Sequence, residues 1–428
     1  MKKVIGAVIA AMVLAMMLGG MCAAAAESPE ASDALEPAYA DVPRVDIEGD
    51  MTGISKKTKK DVTITYTSAT LSFTSYATIK WQGTSSVSQG YPKQNYAIEL
   101  FADEEHDTKD KRAFRDWLSA NEYCLKANWI DSTHARNIVG ARLAASIQKT
   151  PLPSGVSGLI DGFPIHVYLN GEDQGIYTWN IPKKAWLFNM SKKNPDCILY
   201  CADSKLGSCV FETEAVDDGS WDLVYSGGAG DELEKLNRVI RFVKDSPVEE
   251  FREHFHEYFD FDSVVDYYVY SQIMANIDGV SKNMLLATFD GKVWYVGLYD
   301  LDTLCGTSWT GKLVVSEKVL YGSSSFKPFS KESVLWSKFE QAFGNEIYDR
   351  YIELSTGVLS YDNIIAEFVY FMDGIGPELY ELDDQLWTDK SEKHPFIPSR
   401  EYGLQQIETY MKKREPYTQE WMESLRTE

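Results

Sequence analysis

In Asn276-Ile277-Asp278-Gly279-Val280-Ser281-Lys282-Asn283 an aspartate and an asparagine stand five positions apart. A phosphoryl-transfer site uses that spacing to separate the carboxylate that receives a hydroxyl proton from the amide oxygen that holds a metal ion. Further along, Asp300-Leu301-Asp302 supplies two more hard oxygen donors. If Asp290-Gly291 forms a two-residue hairpin turn, Phe289 faces Lys292, Asn283 faces Leu298, and Asp300 is the diagonal neighbour of Asn283 on the same face. Diagonal neighbours lie roughly 7–8 Å apart, within reach of one shared ion. Asn283, Asp300 and, if the strand continues, Asp302 are therefore candidate ligands for Mg²⁺ or Mn²⁺, with phosphate oxygens completing the shell. Asp278 is the candidate base. Taken one at a time, the same residues read as a turn cap, a strand opener and an exposed loop.

A metal-bound phosphate also needs a covering loop and a cation. Ile79-Lys80-Trp81-Gln82-Gly83-Thr84-Ser85-Ser86 leads through Gly90-Tyr91-Pro92 to Lys93-Gln94-Asn95-Tyr96. The small residues Gly83, Thr84, Ser85 and Ser86 let backbone amides approach phosphate closely. Lys93 opens the next strand as a fixed point charge. Without the downstream acidic cluster, this stretch reads as a plain loop and a strand-edge lysine.

These residues need strands and helices to hold them. From about 42 to 100 the chain alternates with a period of two, in Val62 to Tyr66, Leu71 to Thr74 and Tyr96 to Leu100. Lys56, Lys57, Lys59 and Lys60 precede one of these strands, as a solvated turn or a polyanion patch. Asp131-Ser132-Thr133 starts a helix carrying Ile138, Val139, Leu143 and Ile147, which stops before Pro151 and Pro153. Asn170-Gly171 marks a tight hairpin between Pro164–Leu169 and a strand through Tyr177. Residues 203–230 read as a surface loop beside a site. An amphipathic helix follows over 231–244, with Leu233, Leu236, Val239, Ile240 and Val243 on one face, then helices at about 248–259 and 262–276. After about 330 the pattern is helical to the end, and no internal repeat is evident.

The 428 residues carry 44% hydrophobic and 13% aromatic residues, enough for a sizeable core. A formal charge of −22 argues against nucleic acid or an anionic membrane surface as partner. The P-loop, dinucleotide-binding and serine-hydrolase signatures are absent. Met1-Lys2-Lys3, the apolar run Val4–Met21 and Cys22-Ala23-Ala24-Ala25-Ala26 read as a signal peptide over 1–26, and so as a secreted, extracellular or cell-surface protein. An uncleaved anchor or a lipidated Cys22 are the alternatives, the only expected membrane attachments. Residues 27–41 read as a flexible linker. Beyond Cys22 the cysteines are Cys124, Cys197, Cys201, Cys209 and Cys305, with one local disulfide expected in the 197–209 cluster.

Together the segments resemble the CotH kinase-like family of secreted and spore-coat proteins. The matching stretches are Gln82–Ser86 with Pro92–Tyr96; Leu125-Lys126-Ala127-Asn128 with Asp131-Ser132-Thr133 and Arg136-Asn137; Tyr168–Gly171 with Gly175-Ile176-Tyr177; and Asn276–Asp278 through Asn283 to Asp300–Asp302 with Gly306. Two departures are Lys80-Trp81-Gln82 in place of an Arg-Gly-Asn-like lead-in, and Tyr299 before Asp300 where Pro-Trp is frequent. The resemblance spans roughly residues 43–310. It implies an α+β, atypical two-lobed protein-kinase-like fold, strand-rich in its N-terminal lobe and mainly helical in its C-terminal lobe. The corresponding domain covers 42–330, with 331–428 a helical extension packed on it. It further implies an atypical protein kinase that transfers the ATP γ-phosphate, with Mg²⁺ or Mn²⁺, to serine or threonine of exported or cell-surface proteins. Lys93 would contact the nucleotide phosphates, with Glu99 or Glu172 as its acidic partner; Asp278 would be catalytic base; Asn283, Asp300 and Asp302 would hold metal. Arg136 would orient an acidic loop residue or serve structure alone. The competing reading is a non-catalytic module bound to cell-surface polysaccharide, to which 11 Trp and 25 Tyr could offer stacking platforms. A glycosidase is least supported, since excess acid identifies no catalytic pair.

Overall fold

The structure, a computed structural model, describes residues 42–88, 90–203, 209–217, 219–280, 282–308, 311, 316–318, 333–387 and 399–427. The expected signal peptide and linker lie outside the described residues. Strands β1 (Arg44–Glu48), β2 (Lys60–Thr67), β3 (Ser72–Gln82), β4 (Asn95–Phe101), β5 (Glu122–Lys126), β6 (Gly162–Leu169) and β7 (Glu172–Asn180) close a barrel in the order β1-β2-β3-β4-β5-β7-β6. The period of two fills it: Val62, Ile64, Tyr66, Phe73, Ala77, Ile79, Ile98 and Leu100 are buried, while Thr65 and Thr74 face each other outside with their hydroxyls 3.0 Å apart. The rings of Tyr66, Phe114, Tyr123 and Trp179 pack on one another in the interior in tilted and edge-to-face pairs. The Asn170-Gly171 hairpin forms as expected. Leu169 faces Glu172, and both turn residues have positive φ, 50° and 80°.

A second sheet has the order β11-β10-β8-β9, from β8 (Ile198–Asp203), β9 (Trp221–Ser226), β10 (Lys282–Thr288) and β11 (Trp294–Gly297). Its central strands are buried on both faces, as their unbroken apolar runs require. Helices are α1 (Ser85–Ser88), α2 (Arg136–Ile147), α3 (Glu232–Asp245), α4 (Val248–His254), α5 (Phe261–Met274), α6 (Val334–Ser355), α7 (Tyr361–Ile375), α8 (Pro377–Trp387) and α9 (Arg400–Ser424). The chain is thus α+β, strand-rich towards its N terminus and helical towards its C terminus. Every residue of α5 from Val264 to Met274 is buried, so this helix is a core rod rather than a surface element. Asp260 caps it by accepting from Ser263 N at 2.9 Å.

Three expectations are corrected. Asp290-Gly291 is not a two-residue turn: Thr288 faces Trp294 and Leu285 faces Gly297, so Phe289–Val293 form the loop and the register moves by one residue. The cause is Asp290, whose Oδ1 accepts from Lys292 N, Val293 N and Thr288 Oγ1 and curls the chain into an Asx turn. The stretch 203–230 is not all loop, since it contains β9. The expected disulfide is not formed by Cys197 or Cys201, which are free and buried. Four residue steps of extended chain separate them by about 13 Å, beyond the reach of a disulfide between the two.

Candidate active site

A cavity of about 570 Å³ opens where the end of β3, the end of β5, the end of β8 with the start of β10, and the segment after β11 meet. Its lining includes Gly83, Thr84, Ser86, Asp278, Asn283, Asp300 and Asp302. Residues as far apart in sequence as Gly83 and Asp302, 219 positions, therefore share one wall system. Ser85 belongs to the helical turn α1, and its side chain lies outside the described residues.

Local backbone rules bring each group there. Helix α5 ends at Ala275 in the left-handed region, φ 53°, and Asn276 N donates back to Ser271 O at 3.0 Å. A 3₁₀ turn, Ile277–Val280, then carries Asp278, pinned by Tyr267 Oη donating to Gly279 O at 2.7 Å. Asn283 lies in an irregularity of β10 between Lys282 and Leu285, with φ 60°. Asp300 follows β11, also left-handed at φ 55°. Asn and Asp are the non-glycine residues that tolerate this conformation best, so strand irregularity, rather than the regular hairpin register, turns both side chains into the cavity.

Lys93 does not line the cavity. Its ammonium is 1% exposed and donates to Asp383 Oδ1 at 2.5 Å and to Ile176 O at 2.6 Å, beneath the rings of Tyr177 and Trp387. Neither Glu99 nor Glu172 is its partner; Glu99 pairs with Lys59 and Lys109. Of the lysines that line the cavity, Lys126, the last residue of β5, pairs with its acidic wall, with Nζ 3.3 Å from Asp300 Oδ1. Lys56, Lys183, Lys282, Asp203 and Asp222 also line it. Sequence reading had Lys126 in view within a family-like stretch but no signal for its direction. Strand β5 buries Tyr123 to Lys126 without alternation, and the partner of Lys126 is fixed only by the tertiary fold. Lys56 does reach the cavity rim, where Nζ lies 3.3 Å from Thr84 Oγ1.

The charges are out of their ordinary balance. Burial, then the neighbouring Asp300 carboxylate, raises the Asp278 pKa to about 6. Burial and Asp300 likewise push Asp302 well above the usual carboxylate range. Burial opposes the charge on Lys126, but Asp300, Tyr299 and Asp302 together hold its pKa above lysine's usual value. A divalent cation would relieve this mutual repulsion of Asp278, Asp300 and Asp302, and the donor set of amide and carboxylate oxygens is of the hard type that Mg²⁺ and Mn²⁺ prefer. Among the described residues no three His, Cys, Asp or Glu side chains form a cage by themselves. The residues present fit an ion held by few protein groups and completed by phosphate or water, the habit of Mg²⁺.

The fold and cavity define an α+β protein with an acid-lined, lysine-bearing pocket between a closed barrel and a helix-backed sheet. Residues 79–418 match the CotH kinase protein family, and the chain belongs to it. The match begins at residue 79, inside the 43–310 over which the motifs resemble the family, and runs on beyond it through α6, α7 and α8 into α9. No curated protein matches the chain significantly.

Proposed function

We propose that this chain is an atypical Ser/Thr protein kinase that transfers the γ-phosphate of ATP, with Mg²⁺ or Mn²⁺, to exported or cell-surface proteins, with the barrel and the helical part acting as its two lobes. The observation that carries the reading is the shared cavity of Asp278, Asn283, Asp300, Asp302 and Lys126 with the small residues Gly83, Thr84 and Ser86. Phosphoryl transfer needs positioning and charge neutralisation more than covalent chemistry, and this pocket offers both.

In this reading Asp278 receives the proton of the acceptor hydroxyl. A carboxyl with a pKa of about 6 is still ionised at neutral pH yet holds a proton better than an ordinary aspartate, as a general base should. Lys126 takes the phosphate-contacting role that the sequence suggested for Lys93. Gly83, Thr84, Ser85 and Ser86 cover the phosphates. Asn283, Asp300 and Asp302 would hold the metal ion, which when bound neutralises charge on the phosphate oxygens. Lys93 instead ties α8 to the barrel.

Calorimetric titration of residues 27–428 with ATP tests the reading. Saturable binding is expected with Mn²⁺ or Mg²⁺ and loss of binding with EDTA. No metal-dependent binding would overturn it in favour of a non-catalytic surface module.

A further inference from the structure

The segment that carries Asp300 and Asp302 is held at its far end, Cys305 and Gly306, by a helix that joins it only after about another hundred residues. Residues 300–306 have little regular structure of their own, and Asp300, Cys305 and Gly306 all have positive φ, 55°, 58° and 90°. Such a segment keeps one shape only if its surroundings over-determine it.

Two sets of contacts do so. On one side α2 holds the segment: Leu301 N donates to Asn137 Oδ1 at 2.9 Å, and Arg136 Nε donates to Leu304 O at 3.1 Å. On the other side α9 presents Gln406, Tyr410 and Arg414, four residues apart and so on one helical face. Gln406 Nε2 donates to Cys305 O at 2.8 Å. Tyr410 packs its ring where a Gly306 side chain would be, and its hydroxyl donates to Ser316 O at 3.3 Å. Arg414 Nη1 donates to Glu317 O at 3.0 Å, and its Nε to Gln272 O at 2.7 Å, at the end of α5 that leads to Asp278. The two sides meet at one point: the Arg136 guanidinium also donates to Gln406 Oε1 and to Asp131.

We infer that α9 is a clamp for the metal-holding segment and that Gln406 is its positioning residue, setting where Asp300 and Asp302 stand by fixing the carbonyl of Cys305. The inference rests on the proposed role of Asp300 and Asp302 as metal ligands. Gln406 suits this task because an amide can do two opposite things at once. Its oxygen accepts from Arg136 while its nitrogen donates to the segment, whereas a carboxylate could only accept. Groups that orient metal ligands from behind cost tenfold to a hundredfold in metal affinity when lost.

Gln406→Glu separates the two bonds. The new carboxylate keeps, and charges, the contact with Arg136 while facing the Cys305 carbonyl with no proton to donate. Full-length protein would be titrated with Mn²⁺ in the presence of ATP, following free Mn²⁺ by electron paramagnetic resonance, with thermal unfolding measured in parallel. The expected result is a Mn²⁺ affinity at least about tenfold weaker in Gln406→Glu, with an unfolding midpoint equal to or above wild type, and transfer activity restored by saturating Mn²⁺. Gln406→Ala, which loses both bonds, should weaken Mn²⁺ binding and lower the midpoint as well. Equal Mn²⁺ affinity in wild type and a folded Gln406→Glu would overturn the clamp while leaving the kinase reading standing. Absence of Mn²⁺ binding by the wild type would overturn the metal-ligand roles on which the clamp depends.

Discussion

Lys126 Nζ lies 3.3 Å from Asp300 Oδ1, although 174 residues separate them in the chain. This contact joins the barrel to the segment after the second sheet, and it brings a permanent positive charge to the wall of the acidic cavity. Lys93, by contrast, spends its charge on Asp383 of α8, away from the cavity. The two lysines should therefore respond oppositely to substitution.

Lys126→Met is expected to fold with a smaller loss of stability than Lys93→Met, since its partner Asp300 keeps about a third of its side chain in solvent, and to lose ATP-dependent transfer by on the order of a hundredfold, the usual effect of deleting one charge-stabilising group. Lys93→Met should lower stability by about 3–5 kcal/mol, because it strands a buried carboxylate. Urea unfolding and transfer rates measured on both variants check this. A Lys126→Met protein with full activity would remove that residue from the site.

Acid should loosen the same latch. Although burial works the other way, Lys93 and then His134 hold the Asp383 carboxyl well below its ordinary range. A depressed folded pKa contributes stability that is present above the unfolded value near 4 and lost as pH falls below it. Asp383→Asn should remove part of the acid sensitivity between about pH 4 and pH 2, as read from urea midpoints at each pH. An unchanged pH profile in that variant would mean that the pair contributes no linkage.

Asp278 makes a different pH prediction. Its folded pKa of about 6 lies above the unfolded value, so its contribution to stability is greatest below about pH 4 and declines as pH rises through 6. Activity should do the reverse, with kcat/KM rising through an apparent pKa near 6 as the base ionises. Asp278→Asn should abolish transfer and raise stability at pH 7 by about 1–3 kcal/mol, as the buried charge is removed. A flat activity profile from pH 5 to 8 would count against Asp278 as base.

The thiols give a test of the fold itself. Burial pushes Cys124 up to about 11 and Cys305 up to about 12, and Cys197 and Cys201 are also raised by burial. These four should not react with a thiol reagent within minutes in native protein and should react fully in urea. Rapid native labelling of Cys124 or Cys305, located by mass spectrometry, would contradict the packing described.

Much of this architecture was legible in the sequence where the signal is local. The alternating runs of β2 to β4, the Asn170-Gly171 turn and the apolar face of α3 all come from short-range rules. Spacing also singles out Asp278, Asn283, Asp300 and Asp302, which line one cavity, although the register offered as the reason is off by one. What brings them together is the left-handed backbone at Asn283 and Asp300, which a regular hairpin does not contain. The direction of Lys93 was not legible, because its partner Asp383 is 290 residues away. One clue did exist. Gly175 has φ 72°, and a side chain there would collide with the Asp383 carboxylate, so the glycine marks a close approach whose partner the sequence could not name. The strand β9 was missed since its exposed Asp222 and Leu223 break the pattern of alternation.

The central claim is that Asp278 and Asp300 serve one phosphoryl-transfer site. The most direct measurement is transfer from γ-labelled ATP by residues 27–428 with Mg²⁺ or Mn²⁺, to itself and to a casein-like acceptor, for wild type, Asp278→Ala and Asp300→Ala. The account predicts labelled phosphoserine or phosphothreonine with the wild type and none with either variant, both remaining folded. Labelling that persists in the two folded variants, or none from a wild type that binds no ATP, would contradict it.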